Sequence, residues 1–142
     1  MAVTSEAQAT WNGGLSDGSG RVALASGTGE FAVNWKARSE GSESTTTPEE
    51  LLAAAHSACF SMALSHALEG NGTPPAELFV DARVSFVPGT GVTESELHVR
   101  GKVPGLDQEA FARFAQEAKE GCPVSKALAG ITITLAGATL VE

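Results

Sequence analysis

The sequence predicts an α+β protein, and three observations carry that expectation. Short segments with partial alternation of polar and apolar residues, broken by glycine-rich turns, fill the first 36 residues. One long alanine- and leucine-rich helix with a strong start signal follows. Two more strands, two more helices and a closing strand then give the order β-β-β-α-β-β-α-α-β, which reads as α+β. With 142 residues and neither a repeat nor a linker, the chain is expected to form one domain spanning 1–142.

EAQATWN, GRVALAS and EFAVNWKAR are the three opening strands, separated by GGLSDGSG and SGTGE, as in an antiparallel meander. SEGSESTTT, from Ser39, is polar and reads as a loop. Thr47 is a good N-cap, Pro48 suits the first helical position, and Glu50 stands three residues after the cap. Thr47-x-x-Glu50 is therefore a capping box, opening a helix that runs to about Leu68. That helix is apolar on most sides and must be covered nearly all round. Its alanines admit a closely packed neighbour, and in so short a chain the natural neighbour is the same helix of a second copy. ELFVDARVSFVP and TESELHVRGKVP pair as a hairpin. DQEAFARFAQEAK is an amphipathic helix with Asp107 near its start, a short helix follows Cys122, and ITITLAGATLV closes the chain as a strand.

The hydrophobic fraction of 42% is that of a globular protein. A net charge of −8 with nine scattered lysines and arginines excludes the clustered basic footprint that nucleic acid requires. No apolar run approaches the ~20 residues of a bilayer span, so no membrane association is expected. MAVTSEAQATW lacks a basic segment followed by an apolar core, so a cytoplasmic location is expected.

Two cysteines in a reducing compartment are inert packing, metal ligands or redox-active thiols, not a structural disulfide. Cys59 lies in the middle of the long helix, where burial as a small hydrophobe and reactivity are both open readings. Cys122 falls near an N-cap between Gly121 and Pro123, where unpaired N–H groups and the helix dipole favour a thiolate. His56, Cys59 and His66 share a helical face, but Cys59 and His66 are about 10 Å apart along the axis, too far to hold one metal ion. His56 and Cys59, three apart, could form a thiolate–imidazolium pair for acyl transfer. A redox pair accounts for both cysteines at once: one thiolate attacks an oxidant, becomes a sulfenic acid, and is captured by the other. Glu49 has no structural task of its own, since Glu50 serves the capping box. It stands about 15 Å from Cys59 along a straight helix, so both serve one site only through a second chain or a bend.

TPEELLAAAHSACFSMALSHAL and GCPVSKAL resemble the diagnostic segments of the OsmC/Ohr family, the osmotically inducible and organic-hydroperoxide-resistance proteins. CFSMALS and CPVSKAL are nearer the OsmC branch. The resemblance implies an OsmC-like fold, with antiparallel sheets around the cysteine helix in an intertwined homodimer and active sites at the interface. It implies a cofactor-free, thiol-dependent peroxidase. Cys59 would attack a hydroperoxide and become a sulfenic acid, and Cys122 would resolve it to an intramolecular disulfide. A dithiol reductant would restore the thiols, a lipoylated protein in at least the Ohr branch. Arg38, in NWKARSEG, matches the arginine that OsmC proteins carry in the third strand to stabilise the thiolate, and Glu49 matches the acid that positions it. The Ohr branch places its arginine in the first turn, where this chain has Leu15 and only Arg21 nearby, leaving Arg21 in reserve. Phe60, Met62, Phe79 and Phe86 are candidate pocket liners, each also explicable as ordinary core.

Two other functions fit the residues. A Cys–His acyl-transfer or hydrolytic enzyme requires His56 and not Cys122. A non-catalytic dimeric binding module uses both thiols only for packing.

Overall fold

The computed structural model describes residues 1–142, which cluster into two compact units, Met1–Leu51 and Leu52–Glu142. The elements are mixed α and β with two separate three-stranded sheets, as the α+β expectation required.

In the first unit, β1 (Ala7–Asn12), β2 (Ser19–Leu24) and β3 (Glu30–Val33) form an antiparallel meander, with Trp11 opposite Gly20 and Gly20 opposite Val33. Glycine is required at position 20, because a Cβ there would lie 2.7 Å from both the Thr10 carbonyl oxygen and the Trp11 ring. The third strand is shorter than expected. It ends at Val33, and Trp35–Glu40 form a short helix, α1, rather than the tail of a strand. The cause is local: the Asn34 side chain accepts a 2.7 Å hydrogen bond from the Ala37 N–H, capping a helical turn that Gly41 closes at φ +89°. Alternation in AVNWKAR mimics a strand, and the cap residue overrides it.

Helix α2 (Pro48–Gly70) begins in the first unit and continues through the second. The Glu50 N–H donates to Thr47 Oγ1 at 3.0 Å, so the expected cap exists. The capping box is only half formed, because the Glu50 carboxylate accepts from Thr46 Oγ1 instead of reaching back to Thr47.

The second unit contains β4 (Glu77–Val87) and β5 (Gly91–Lys102) as an antiparallel hairpin. After them come α3 (Gln108–Gly121), α4 (Pro123–Ala127) and β6 (Thr132–Leu140), which pairs parallel to β5 and leaves β5 central. Asp107 caps α3 by accepting from the Ala110 N–H at 2.8 Å. Along α2, His56, Phe60, Leu64 and Leu68 recur every fourth residue and are all fully buried. Phe60, Leu64 and Leu68 share one core with Leu97 and Val99 of β5, Phe111, Ala115 and Ala118 of α3, and Cys122. Burial of each large side chain contributes about 1.5–3 kcal/mol. The sheet and α3 meet closely: a Cβ at Gly101 would fall 2.5 Å from the Phe111 ring.

The buried stripe occupies only one side of α2. Ala54, Ala55, Ala58 and Met62 are exposed, Met62 by 67%, so a single chain does not cover the helix all round as its composition requires. By length and composition α2 is also long and apolar enough to cross a bilayer, which corrects the expectation that no such segment exists. Alanine supplies that apolarity, while the buried face carries a hydrogen-bonded histidine and packs against protein.

Candidate active site

Cys59 and Cys122 come together in the second unit, both as free thiols. Cys59 is half-buried at the border of the α2 stripe, whereas Cys122 is 0% exposed at the junction of α3 and α4. Three influences act on the Cys59 thiol. Burial, the largest, pushes its pKa up; the Val124 backbone N–H, donating to the sulfur, pulls it down; the Cys122 thiol within hydrogen-bonding reach adds to the upward push.

The expected N-cap environment exists but serves the other cysteine. Cys122 is the N-cap of α4, yet its side chain makes no capping hydrogen bond, because it turns inward to join the apolar core. The N–H of Val124, the second residue of α4, is directed at Cys59 instead. Nothing in the sequence marks this donor, since a backbone N–H carries no residue signature.

Arg38 and Glu49 also come together, within the first unit. Arg38 Nη2 lies 2.8 Å and Nε 3.0 Å from Glu49 Oε1, with a further 3.3 Å contact from Nε to Oε2. Glu49 is 5% exposed and sits in the first turn of α2, where the helix dipole favours a carboxylate. A charge buried to this degree needs its partner, and the forked guanidinium supplies one. Arg38 stands on α1 rather than in the third strand, and the Asn34 cap decides that position. Arg21, the reserve candidate, is engaged elsewhere: its Nε contacts Glu30 Oε1 at 2.7 Å across β2 and β3 in an exposed pair, which raises the arginine pKa and lowers that of the glutamate.

His56 is engaged with two serines rather than with a thiolate. It is 0% exposed, its Nδ1 lies 2.7 Å from Ser95 Oγ on β5, and its Nε2 lies 2.8 Å from Ser125 Oγ on α4. Burial lowers its pKa and so favours the neutral ring. With both nitrogens bound to hydroxyls, it is equipped for bridging rather than for acyl transfer or metal ligation. No spacing in the sequence reveals this arrangement, because both serines are remote from His56 along the chain.

The candidate pocket liners are dispersed. Phe60 is core, Met62 is exposed, and Phe79 is half-exposed beneath Arg100, whose guanidinium carbon lies 4.6 Å from its ring centroid. Within the first unit, a largely apolar depression of about 300 Å³ lies against Arg38, lined by Trp11, Leu15, Val22, Val33 and Trp35 among others.

Two free thiols in contact, one accessible and one buried, define a thiol-based redox protein by class. Comparison with known proteins gives the family. The model of the OsmC-like protein family matches residues 41–136, and the chain belongs to that family. It is similar to peroxiredoxin OsmC of Escherichia coli (strain K12), with 41% identity over 132 residues, 90% of this chain and 92% of the relative. It is also similar to organic hydroperoxide resistance protein-like 1 of Staphylococcus saprophyticus, at 32% identity and 92% of both chains. The fold matches the crystal structure of an organic hydroperoxide resistance protein OsmC from Legionella pneumophila, with TM-score 0.71, 23% identity and 99% of both chains covered.

Proposed function

We propose that the protein is a thiol-dependent peroxidase that reduces organic hydroperoxides, and hydrogen peroxide to a differing extent, through a Cys59–Cys122 redox cycle. The observation that carries this reading is the contact between a half-buried and a fully buried thiol in a chain of the OsmC-like family. The accessible thiol meets the oxidant and the buried one waits behind it. The Cys59 thiolate attacks the distal peroxide oxygen; the O–O bond breaks, and the leaving alkoxide takes a proton to become an alcohol, or water from hydrogen peroxide. Cys59 is then a sulfenic acid. Cys122 sulfur attacks it, expelling water and forming the disulfide. A dithiol reductant, such as a lipoylated protein, returns both thiols by exchange.

Burial works against ionisation of Cys59, so the reading calls for a cation. Arg38, held by Glu49, takes that role: it stabilises the thiolate and orients the peroxide. The spacing of Glu49 and Cys59 on one helix is met if the pair serves the cysteine of a second copy. The uncovered alanine and methionine face of α2 supports such a symmetric homodimer, with active sites at the interface. Residues 1–142 act in this reading as one domain of a soluble, cytoplasmic enzyme.

The test is titration of the reduced protein with cumene hydroperoxide and, separately, hydrogen peroxide, followed by peptide mass spectrometry. Stoichiometric Cys59–Cys122 disulfide is expected, with trapped Cys59 sulfenic acid in Cys122→Ser. Survival of both thiols in excess peroxide would refute the reading.

A further inference from the structure

The thiol pair lies beside two other contacts between α2 and the start of α4, one from the Val124 N–H to Cys59 and one between side chains. His56 stands three residues before Cys59 on α2, and Ser125 three residues after Cys122 on α4. His56 Nε2 meets Ser125 Oγ at 2.8 Å, while Cys59 meets Cys122. The contacts are therefore rungs of one ladder: 56 with 125, 59 with 122. Residues three apart on a helix share a face, so both rungs lie on the same surface of α2.

The histidine rung is firmly built. His56 and Ser95 are fully buried and Ser125 nearly so. A neutral imidazole offers one N–H donor and one lone pair, so one serine hydroxyl donates to the ring and the other accepts from it. The ring is thereby held between β5 and α4. Helix α4 needs such an anchor: it has only five residues, begins with proline, and has no side-chain cap, so it has little stability of its own.

We propose that His56 and Ser125 are positioning residues for resolution, holding α4 in register so that Cys122 captures Cys59 sulfenic acid before a second peroxide does. The inference rests on the redox cycle proposed above. Disulfide formation tolerates little displacement, since the two Cα atoms must come within about 4.4–6.8 Å with their Cβ atoms pointing together. Two reactions compete for the sulfenic acid. Cys122 thiol converts it to the disulfide with loss of water. A second hydroperoxide converts it to sulfinic acid, transferring one oxygen and releasing a second alcohol. A loosened α4 slows the first and leaves the second unchanged.

The experiment treats reduced wild type, Ser125→Ala, Ser125→Thr and His56→Gln with excess cumene hydroperoxide and quantifies disulfide and Cys59 sulfinic acid by peptide mass spectrometry. In Ser125→Ala and His56→Gln the sulfinic-to-disulfide ratio is expected to rise about tenfold, in line with loss of one buried hydrogen bond. Ser125→Thr keeps the hydroxyl and should restore the ratio to within about twofold of wild type. Ser125→Ala removes a single oxygen atom, so it tests the contact even if the histidine variant fails to fold. A merely structural contact would lower the unfolding midpoint of Ser125→Ala and leave the ratio at the wild-type value. That result, with wild type forming its disulfide, overturns this inference alone. Absence of any disulfide in wild type overturns the redox cycle and this inference with it.

Discussion

The two units solve opposite electrostatic problems. The first buries a carboxylate, Glu49, and satisfies it with a forked arginine at 2.8–3.3 Å. The second half-buries a thiol, Cys59, among apolar side chains, another thiol and one backbone N–H, with the net result that its pKa rises. A buried charge without a partner costs several kcal/mol, so the first unit must keep its ion pair. A neutral thiol has no such requirement, and burial favours that form. The comparison separates two kinds of burial: Arg38 and Glu49 satisfy each other, whereas burial, the Val124 N–H and the Cys122 thiol are the influences on Cys59.

The largest effect expected is from Cys59→Ser, which should abolish peroxide consumption, measured as loss of cumene hydroperoxide with a dithiol reductant. Retained turnover in that variant would break the assignment of the second unit as the reactive one. Next comes Arg38→Ala, expected to slow Cys59 oxidation at neutral pH about 100-fold if the guanidinium stabilises developing charge. The sign of its pH dependence follows from the raised thiol pKa. Without the cation the thiolate forms only at higher pH, so the deficit should narrow as pH increases. Arg21→Ala, which disturbs only an exposed pair with Glu30, should leave turnover within about twofold. Equal losses in the two arginine variants would erase the distinction between them.

Smaller effects concern stability. Burial lowers the His56 pKa from its ordinary value near 6.5. Below that value the unfolded chain binds a proton that the folded chain resists, so stability present above pH 6.5 is lost as pH falls. The loss should be up to about 1.4 kcal/mol per pH unit until the folded ring also titrates. Urea unfolding at pH 7.5 and 5.5 measures it, and His56→Gln should flatten that dependence. Gly101→Ala, whose Cβ would meet the Phe111 ring, should cost about 1–3 kcal/mol by overpacking, read from the same urea midpoints.

Much of the fold was legible because local signals agreed. Alternation and glycine turns marked β1 and β2. Thr47 and Pro48 marked the start of α2, and Asp107 that of α3. Helix α1 was missed because one short side chain, Asn34, outweighed the alternation of its neighbours. The candidate site was legible as residue types: two isolated cysteines, an unemployed Glu49 and, by resemblance, Arg38. The environment of His56 was not legible, because Ser95 and Ser125 are 39 and 69 residues away along the chain.

Local signals in the sequence were enough to place most elements and to single out the side chains with reactive chemistry, because caps, turns and periodicity act over a few residues. Only the tertiary structure decided which groups meet. It brought Cys59 against Cys122, turned the Val124 N–H toward Cys59 rather than Cys122, locked His56 between two serines, and closed Arg38 onto Glu49. The physical reason is that a pKa, a hydrogen bond or a capture distance depends on neighbours in space, which packing of the apolar stripe of α2 against β5 and α3 selects.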